Sequence, residues 1–252
     1  MNYKLTLAFC GTRYHGWQVQ QNAVTVCEVL QDAVEAVFGV RYDVKGCSRT
    51  DSGVHANGFV ASLHTERNIT ATALCRALNV NLPTDIAVVR CEEAAESFHP
   101  RYDALQKRYL YRMYDTPIRS PFRQDRMWHI TTPLQEGRMA AAAAYFLGEH
   151  NFSAFCASGG KIPEEERIRT ITDSTVTREG EVVTLSITGD GFLYNMVRII
   201  AGTLVEVSRG KITPEELPGI IASRDRSRAG CTAPPCGLYL DAVFYEKKEA
   251  AR

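Results

Sequence analysis

The stretch Gly46–Ala56 reads GCSRTDSGVHA and is the most unusual local run of the chain. At its centre Asp51 stands between Thr50 and Ser52, and Gly53 follows. Small polar side chains hydrogen-bond the nearby backbone and glycine accepts unusual dihedral angles, so this composition is typical of a tight turn. Taken by itself, the stretch predicts an exposed turn that presents one carboxylate.

Two chemical interpretations of this turn find little support in the residues. Asp51 and His55 could ligate a metal ion, but no other carboxylate or histidine follows nearby at ligand spacing. Ser52 could serve a Ser-His-Asp hydrolase, but it lacks the glycine-flanked nucleophile elbow of those enzymes. We therefore expect neither a metal site nor a serine hydrolase.

Outward from this turn, the sequence alternates strand and helix patterns in both directions. Hydrophobic periodicity, capping residues and turn signals define the elements. They predict strands over 3–9, 86–91, 107–114, 172–177, 182–188 and 238–245, and helices over 26–38, 72–78, 138–147, 195–207 and from Thr213 onward.

Each half of the chain contributes strands first and then helices that cover one face. We expect an α+β fold of two similar lobes, which share a mainly antiparallel sheet flanked by helices and form an active-site cleft where they meet. The expected division is an N-terminal lobe over 1–104, a connecting strand and proline-containing linker over 105–135, and a C-terminal lobe over 136–252.

The composition is that of an ordinary globular protein. Hydrophobic residues make up 45% and charged residues 23%, which argues against disorder. The longest apolar stretch, Met139–Leu147, is far shorter than the roughly 20 residues of a spanning helix, so we expect no membrane span. The first residues alternate as a strand and do not resemble a signal peptide.

Lys plus Arg and Asp plus Glu each total 29, so the net charge is zero. Most nucleic-acid-binding proteins carry a basic surplus, and this total alone gives no hint of a polyanionic partner. The charge is unevenly spread, however, because residues 106–126 hold six basic side chains against two acidic ones.

The eight cysteines lack the two-residue gap of a zinc knuckle, and several lie in apolar runs. We expect reduced, partly buried thiols in a cytoplasmic protein, with structural disulfides or a metal site as the alternatives.

Six blocks of the sequence together resemble the TruA family of tRNA pseudouridine synthases. They occur in the order expected of that family and extend over nearly the whole chain. A departure lies at His99-Pro100, where a small residue is more usual before the arginine. The blocks are Tyr14–Gln20, Ser48–Ala56, Phe98–Ala104, Lys107–Tyr111, Gly191–Arg198 and Ala233–Leu238.

The resemblance implies an isomerase that detaches uracil from ribose, rotates it and rejoins it through carbon 5. It implies that Asp51 is the essential carboxylate, that Arg198 is its cationic partner and that Tyr109 stacks on the target uracil. Arg198 lies among apolar helix residues, where an unpaired guanidinium would be costly. Phe192 and Leu238 would form apolar walls of the pocket for the uracil. Arg49 would insert at the place from which the target nucleotide leaves the base stack.

The same resemblance implies the substrate and the assembly. Family members bind tRNA across a homodimer and modify positions 38, 39 and 40 of the anticodon stem-loop. No cofactor is expected, because the isomerisation changes no redox state and transfers no group. Contacts with the RNA backbone are expected from basic side chains, namely Lys107, Arg108, Arg112, Arg224 and Arg226.

Other functions remain open at this point. The same isomerisation could act on other RNA positions, or the chain could be a catalytically silent RNA-binding module in which Asp51 is dispensable. A phosphate-ester hydrolase is less favoured, because the sequence offers no metal ligands for it. The residues also do not decide whether Asp51 attacks the base, attacks the sugar carbon or removes a ribose proton.

Overall fold

The computed structural model describes residues 1–158 and 162–246, and the chain divides into two compact units. The first unit comprises Met1–Leu105 and the C-terminal segment from Tyr239. The second unit comprises Gln106–Leu238.

The first unit is built around a mainly antiparallel sheet with β1 at its centre. β1 pairs with β3 on one side and β4 on the other, and the short β2 also pairs with β3. The alternation predicted for β1 is confirmed, because Tyr3, Leu5 and Leu7 are fully buried while the residues between them are partly exposed. The elements are β1 (Asn2–Phe9), α1 (Val26–Phe38), β2 (Val44–Gly46), β3 (His55–His64), α2 (Ala71–Asn81) and β4 (Ile86–Ala94).

The predicted ends of α1 are confirmed. The Thr25 hydroxyl accepts a hydrogen bond from the Glu28 amide and caps the first turn. Gly39 ends the helix with a φ of 71°, in the left-handed region that glycine adopts without strain.

The second unit is a further mainly antiparallel sheet, in the order β5-β9-β8-β7, with β6 parallel to β5. Helix α3 packs against α4 and β8. The elements are β5 (Gln106–Asp115), β6 (Trp128–Ile130), α3 (Glu136–Ala143), β7 (Gly148–Asn151), β8 (Ile168–Glu179), β9 (Val182–Gly189), α4 (Met196–Ser208) and α5 (Leu217–Ser223).

Several predicted boundaries shift in this unit. The helix expected to reach residue 147 ends at Ala143, because Ala144–Phe146 tightens into a 3-10 turn and Gly148 follows with a φ of 96°. The β8–β9 strands extend further than predicted, so only Gly180 and Glu181 form the turn of the hairpin.

The last strand, β10 (Leu238–Phe244), pairs in parallel with β3, with Tyr239 opposite His55. The sequence groups this segment with the C-terminal lobe, whereas its backbone pairing places the part from Tyr239 in the first unit. The predicted lobe and linker boundaries at residues 104 and 135 stay predictions.

The predicted α+β class is confirmed, since each unit combines helices with a mainly antiparallel sheet. Among the residues that the structure describes, no helix has the length and apolar character needed to cross a bilayer.

Candidate active site

Asp51 lies at the centre of the loop that connects β2 to β3. The side chain is half-buried, whereas Arg49 and Ser52 beside it are exposed. The Val54 amide donates to the Asp51 carbonyl at 3.2 Å, and this bond closes the predicted turn. The turn therefore holds one carboxylate close to the first residue of β3, a largely buried strand in the interior of the sheet.

The segment Gly11–Trp17 supports the loop through backbone contacts. The Tyr14 carbonyl accepts hydrogen bonds from the Gly53 amide at 3.1 Å and from the Ser52 hydroxyl at 3.4 Å. On the other side of Asp51, Gly16 has a φ of 80°, and a Cβ on it would lie 2.1 Å from the Thr50 carbonyl oxygen. Only glycine fits there, so the support and the loop touch backbone to backbone.

Other residues of the Tyr14–Gln20 block anchor the segment Gly11–Trp17 in the core. Trp17 stacks on Phe59 with ring centroids 4.2 Å apart, and a Cβ on Gly46 would collide with its indole. The Val26 amide, at the start of α1, donates to the Gly16 carbonyl at 3.1 Å. In the sequence this block stands out only through its resemblance to a family; the structure shows it to be the seat of the Asp51 loop.

His55 is buried behind the loop. Its Nδ1 accepts a hydrogen bond from the Gly11 amide at 3.0 Å, and its ring stacks on Tyr239 at 4.6 Å. The hydrogen bond requires an unprotonated Nδ1. Within residues 1–158 and 162–246, no group of three or more His, Cys, Asp or Glu side chains is arranged to hold a metal ion.

In the second unit, the structure brings Tyr109 and Phe192 together. Tyr109 lies on β5 opposite Ile187 of β9 and is 7% exposed. Phe192 follows the end of β9, and its ring meets that of Tyr109 edge-on at 5.0 Å. The edge-on contact fixes the plane of the tyrosine ring.

Arg198 lies in the first turn of α4 and is half-buried. Its Nε donates to the Ala233 carbonyl at 2.8 Å, and its Nη1 donates to the Asn195 side-chain oxygen at 2.7 Å. Asn195 precedes the helix with a φ of 59°, and in this backbone conformation its side-chain oxygen accepts the hydrogen bond from Arg198. The two bonds orient the guanidinium group.

The block Ala233–Leu238 packs under β5. The Tyr111 hydroxyl donates to the Pro234 carbonyl at 2.7 Å, and burial raises the pKa of Tyr111. A Cβ on Gly237 would lie 2.7 Å from the Tyr111 ring. Leu238, the predicted apolar wall, is 7% exposed.

The basic residues predicted to contact RNA differ in their surroundings. Arg224 is exposed beyond α5, and its guanidinium lies 3.7 Å from the Glu164 carboxylate. Arg226 donates to the Gly230 carbonyl at 2.9 Å and to the Thr232 hydroxyl at 3.2 Å, so it supports its own loop. The remaining three are half-buried residues of β5, namely Lys107, Arg108 and Arg112.

One exposed apolar feature gives no signal in the sequence. Phe122 is 96% exposed and Ile118 is 82% exposed, on the segment that leaves β5. The sequence of this segment has no regular hydrophobic periodicity, so nothing in it predicts that Phe122 is exposed.

Comparison with known proteins places the chain among enzymes that modify tRNA. Residues 6–103 and 142–246 match a family model described as tRNA pseudouridine synthase. The chain is 48% identical to the tRNA pseudouridine synthase A of Acetivibrio thermocellus, over 97% of this chain and 99% of that protein. The enzymes of the same name from Ruminiclostridium cellulolyticum and Pelobacter propionicus are 46% and 43% identical, each over 96% of this chain and 98% of the relative.

Among solved structures, a chain from a Cbf5-Nop10-Gar1 complex matches with a TM-score of 0.38 at 10% identity. The match covers 81% of this chain and 54% of that one.

Proposed function

The chain belongs to the tRNA pseudouridine synthase A family, and on that premise we propose that it isomerises uridine at positions 38, 39 and 40 of the tRNA anticodon stem-loop, with Asp51 as the essential carboxylate. The enzyme is an isomerase. The family assignment supports the activity on tRNA, and the tRNA positions 38 to 40 and the catalytic residues are proposed in addition.

The observation that carries the proposal is the support of the Asp51 loop. Gly16 and Tyr14 hold the backbone on both sides of Asp51, so the position of the carboxylate is set before RNA arrives. A pre-positioned group lowers the entropic cost of reaching the transition state. An aspartate suits the reaction, because it can attack as a nucleophile and leave again as a modest anion, or it can remove a proton from the ribose.

Arg198 is proposed as the cation that keeps Asp51 ionised. A carboxylate that reacts where water is excluded needs a positive charge nearby, or its pKa rises and it becomes protonated. The bonds to Ala233 and Asn195 support this role, because they hold the guanidinium in one orientation. An arginine guanidinium carries a positive charge under all physiological conditions, which suits it to this role.

Tyr109 is proposed to stack on the target uracil, with its hydroxyl within reach of the proton that leaves carbon 5. Its low exposure and its edge-on contact with Phe192 support this role, since both restrict the ring. Phe192 and Leu238 would then exclude water from the base.

The target nucleotide must leave its stack, which costs a few kcal/mol. We propose that exposed Arg49, two residues from Asp51, fills the space that it vacates. Contacts with phosphates offset the cost, and they are assigned to Lys107, Arg108, Arg112, Arg224 and Arg226. The enzyme is proposed to act in the cytoplasm as a homodimer, without a cofactor.

Site mapping tests the positional part of this proposal. An unmodified tRNA transcript with uridine at 38, 39 and 40 is incubated with the protein, and pseudouridine is located by carbodiimide-dependent stops of reverse transcription. Stops at these positions are expected, and a transcript with cytidine at all three should give none. Stops elsewhere indicate the same chemistry on another site, and bound but unmodified tRNA indicates a silent binding module.

A further inference from the structure

Asp85, directly before β4, binds three residues of the segment that follows β1. Its Oδ1 accepts a hydrogen bond from the Tyr14 hydroxyl at 2.7 Å. Its Oδ2 accepts two bonds from Arg13, at 2.9 Å from Nε and 2.6 Å from Nη2. Its backbone carbonyl accepts from the Cys10 amide at 2.9 Å.

The network combines a carboxylate, a cation and a neutral phenol. Burial opposes the ionisation of Asp85, but the bonds from Tyr14 and Arg13 outweigh it and hold its pKa below the ordinary value. Burial, followed by the bond to Asp85, raises the pKa of Tyr14 to about 12, so the phenol stays a donor at neutral pH. Hydrogen bonds to a charged group are shorter and stronger than neutral ones.

Asp85 holds the segment that supports the Asp51 loop, and Tyr14 takes part in both contacts: its hydroxyl binds Asp85 and its carbonyl binds Gly53 of the loop. Asp85 fixes Cys10 at one end of the segment and Tyr14 at the other. Between these ends, a Cβ on Gly11 would lie 1.9 Å from the Val54 carbonyl oxygen, so the segment has no room to move towards the loop. A shift of the segment would therefore be passed directly to the backbone around Asp51.

We propose that Asp85 is a positioning residue for the isomerisation: through Tyr14, Arg13 and Cys10 it holds the segment that seats the Asp51 loop. The inference rests on the proposed function, because the role has meaning only if Asp51 is the reacting group. In this role Asp85 does not touch RNA: its carboxylate holds Tyr14 and Arg13, and backbone contacts of their segment carry the support to the Asp51 loop.

An ion pair elsewhere in the same unit provides a matched control. Arg41 and Asp32 lie 2.6 Å apart, the same distance as Arg13 and Asp85, and Asp32 is 61% exposed on α1. Asp32 accepts its hydrogen bond from Arg41, which lies outside the Asp51 loop and the segment that seats it. Asp32→Ala therefore removes an equally close ion pair and leaves the network of Asp85 in place.

The experiment compares wild type, Tyr14→Phe, Asp85→Ala, the double variant and Asp32→Ala. The single-turnover rate at saturating enzyme is measured by tritium release from tRNA labelled at uracil carbon 5, and tRNA affinity is measured separately. We expect Tyr14→Phe and Asp85→Ala each to lower the rate about 10-fold, because a misplacement of about 1 Å can cost up to about 100-fold. The tRNA affinity of each variant should stay within about twofold of wild type. The double variant should be at most about twofold slower than Asp85→Ala. Asp32→Ala should keep the wild-type rate.

Three results would overturn the proposal. A folded Asp85→Ala protein with the wild-type rate shows that the loop needs no such support. A weaker affinity with an unchanged rate at saturation shows that Asp85 acts on RNA binding. Losses that multiply in the double variant show that Tyr14 and Asp85 act independently. If Asp85→Ala does not fold, Tyr14→Phe decides, since it removes one oxygen and leaves the ring and the carbonyl in place.

Asp51→Asn in the same assay separates this inference from the proposed function. Inactive Asp51→Asn together with fully active Asp85→Ala contradicts only the role of Asp85. Fully active Asp51→Asn contradicts the proposed function, and the role of Asp85 with it.

Discussion

At the scale of single residues, Gly16 is a position where one added methyl group should disturb the Asp51 loop directly. An alanine Cβ there would lie 2.1 Å from the Thr50 carbonyl oxygen, and φ is 80°. We expect Gly16→Ala to push the loop away and to lower the single-turnover rate by about 100-fold.

Gly39→Ala is the matched control for this substitution. Gly39 has a similar φ of 71°, but a Cβ added there would meet nothing within 4 Å apart from its own chain neighbours. This variant should lose about 1 to 2 kcal/mol of the free energy of unfolding, from the left-handed backbone alone, and keep its rate. Equal activity of the two variants would show that the contact with Thr50 is unimportant for the reaction.

The hydroxyl of Tyr109 can be tested by its removal. If the hydroxyl takes part in removing the proton from carbon 5, Tyr109→Phe should lower the rate by about 10² to 10⁴-fold and leave tRNA affinity nearly unchanged. Tyr114→Phe on the same strand removes a hydroxyl that accepts from the Ser120 amide, and it should leave the rate unchanged. Single-turnover kinetics of both variants measure the difference. A Tyr109→Phe enzyme as fast as wild type would show that another group removes the proton from carbon 5.

At the scale of secondary-structure elements, a partly buried ion pair holds the end of β5 in place. Arg178 of β8 donates to both Asp115 carboxylate oxygens, at 2.9 and 2.8 Å, and the Leu134 amide also donates to Asp115. Burial opposes ionisation, but these bonds outweigh it and lower the pKa of Asp115 from its ordinary 3.8. The pair thus stabilises the folded state when Asp115 is ionised.

This pair predicts a pH dependence of stability. Because the pKa is lower in the folded protein, the stabilisation is fully present above about pH 4 to 5 and is lost as the pH falls through the folded pKa. Asp115→Asn should cost about 2 to 4 kcal/mol at pH 7. Denaturant unfolding of wild type and Asp115→Asn should show a difference in the free energy of unfolding that becomes smaller as the pH falls. A difference that is independent of pH would contradict the stabilising role of ionised Asp115.

The elements also show how far sequence patterns reach. The ends of α1 follow from Thr25 and Gly39, because capping is local. The patterns do not predict strand β3, because five consecutive residues, Phe59–Leu63, are buried and the strand lacks alternation. The seat of the Asp51 loop could not be predicted, because it is a backbone contact between glycines and residues about 35 to 45 positions away. Asp85 likewise stands alone in a turn and gives no pattern.

At the scale of the whole molecule, a net charge of zero conceals an uneven distribution. Acidic residues cluster in segments such as 164–166, whereas 106–126 is strongly basic. We expect tRNA affinity to fall by at least about 10-fold between 50 and 200 mM salt, because each phosphate contact releases counterions. Filter binding at several salt concentrations measures the slope of the logarithm of tRNA affinity against the logarithm of salt concentration. A slope near zero would contradict the proposed role of the basic segments. Arg224→Gln should reduce the slope by about one unit.

The proposed role of Asp51 in the isomerisation is tested by the release of tritium from uracil carbon 5 of labelled tRNA. Wild type should release tritium to water without added metal or nucleotide. Folded Asp51→Asn should release none above background while it binds tRNA within a few-fold of wild type. Undiminished release from Asp51→Asn, or no release from wild type, would show that Asp51 is not the essential carboxylate of this reaction.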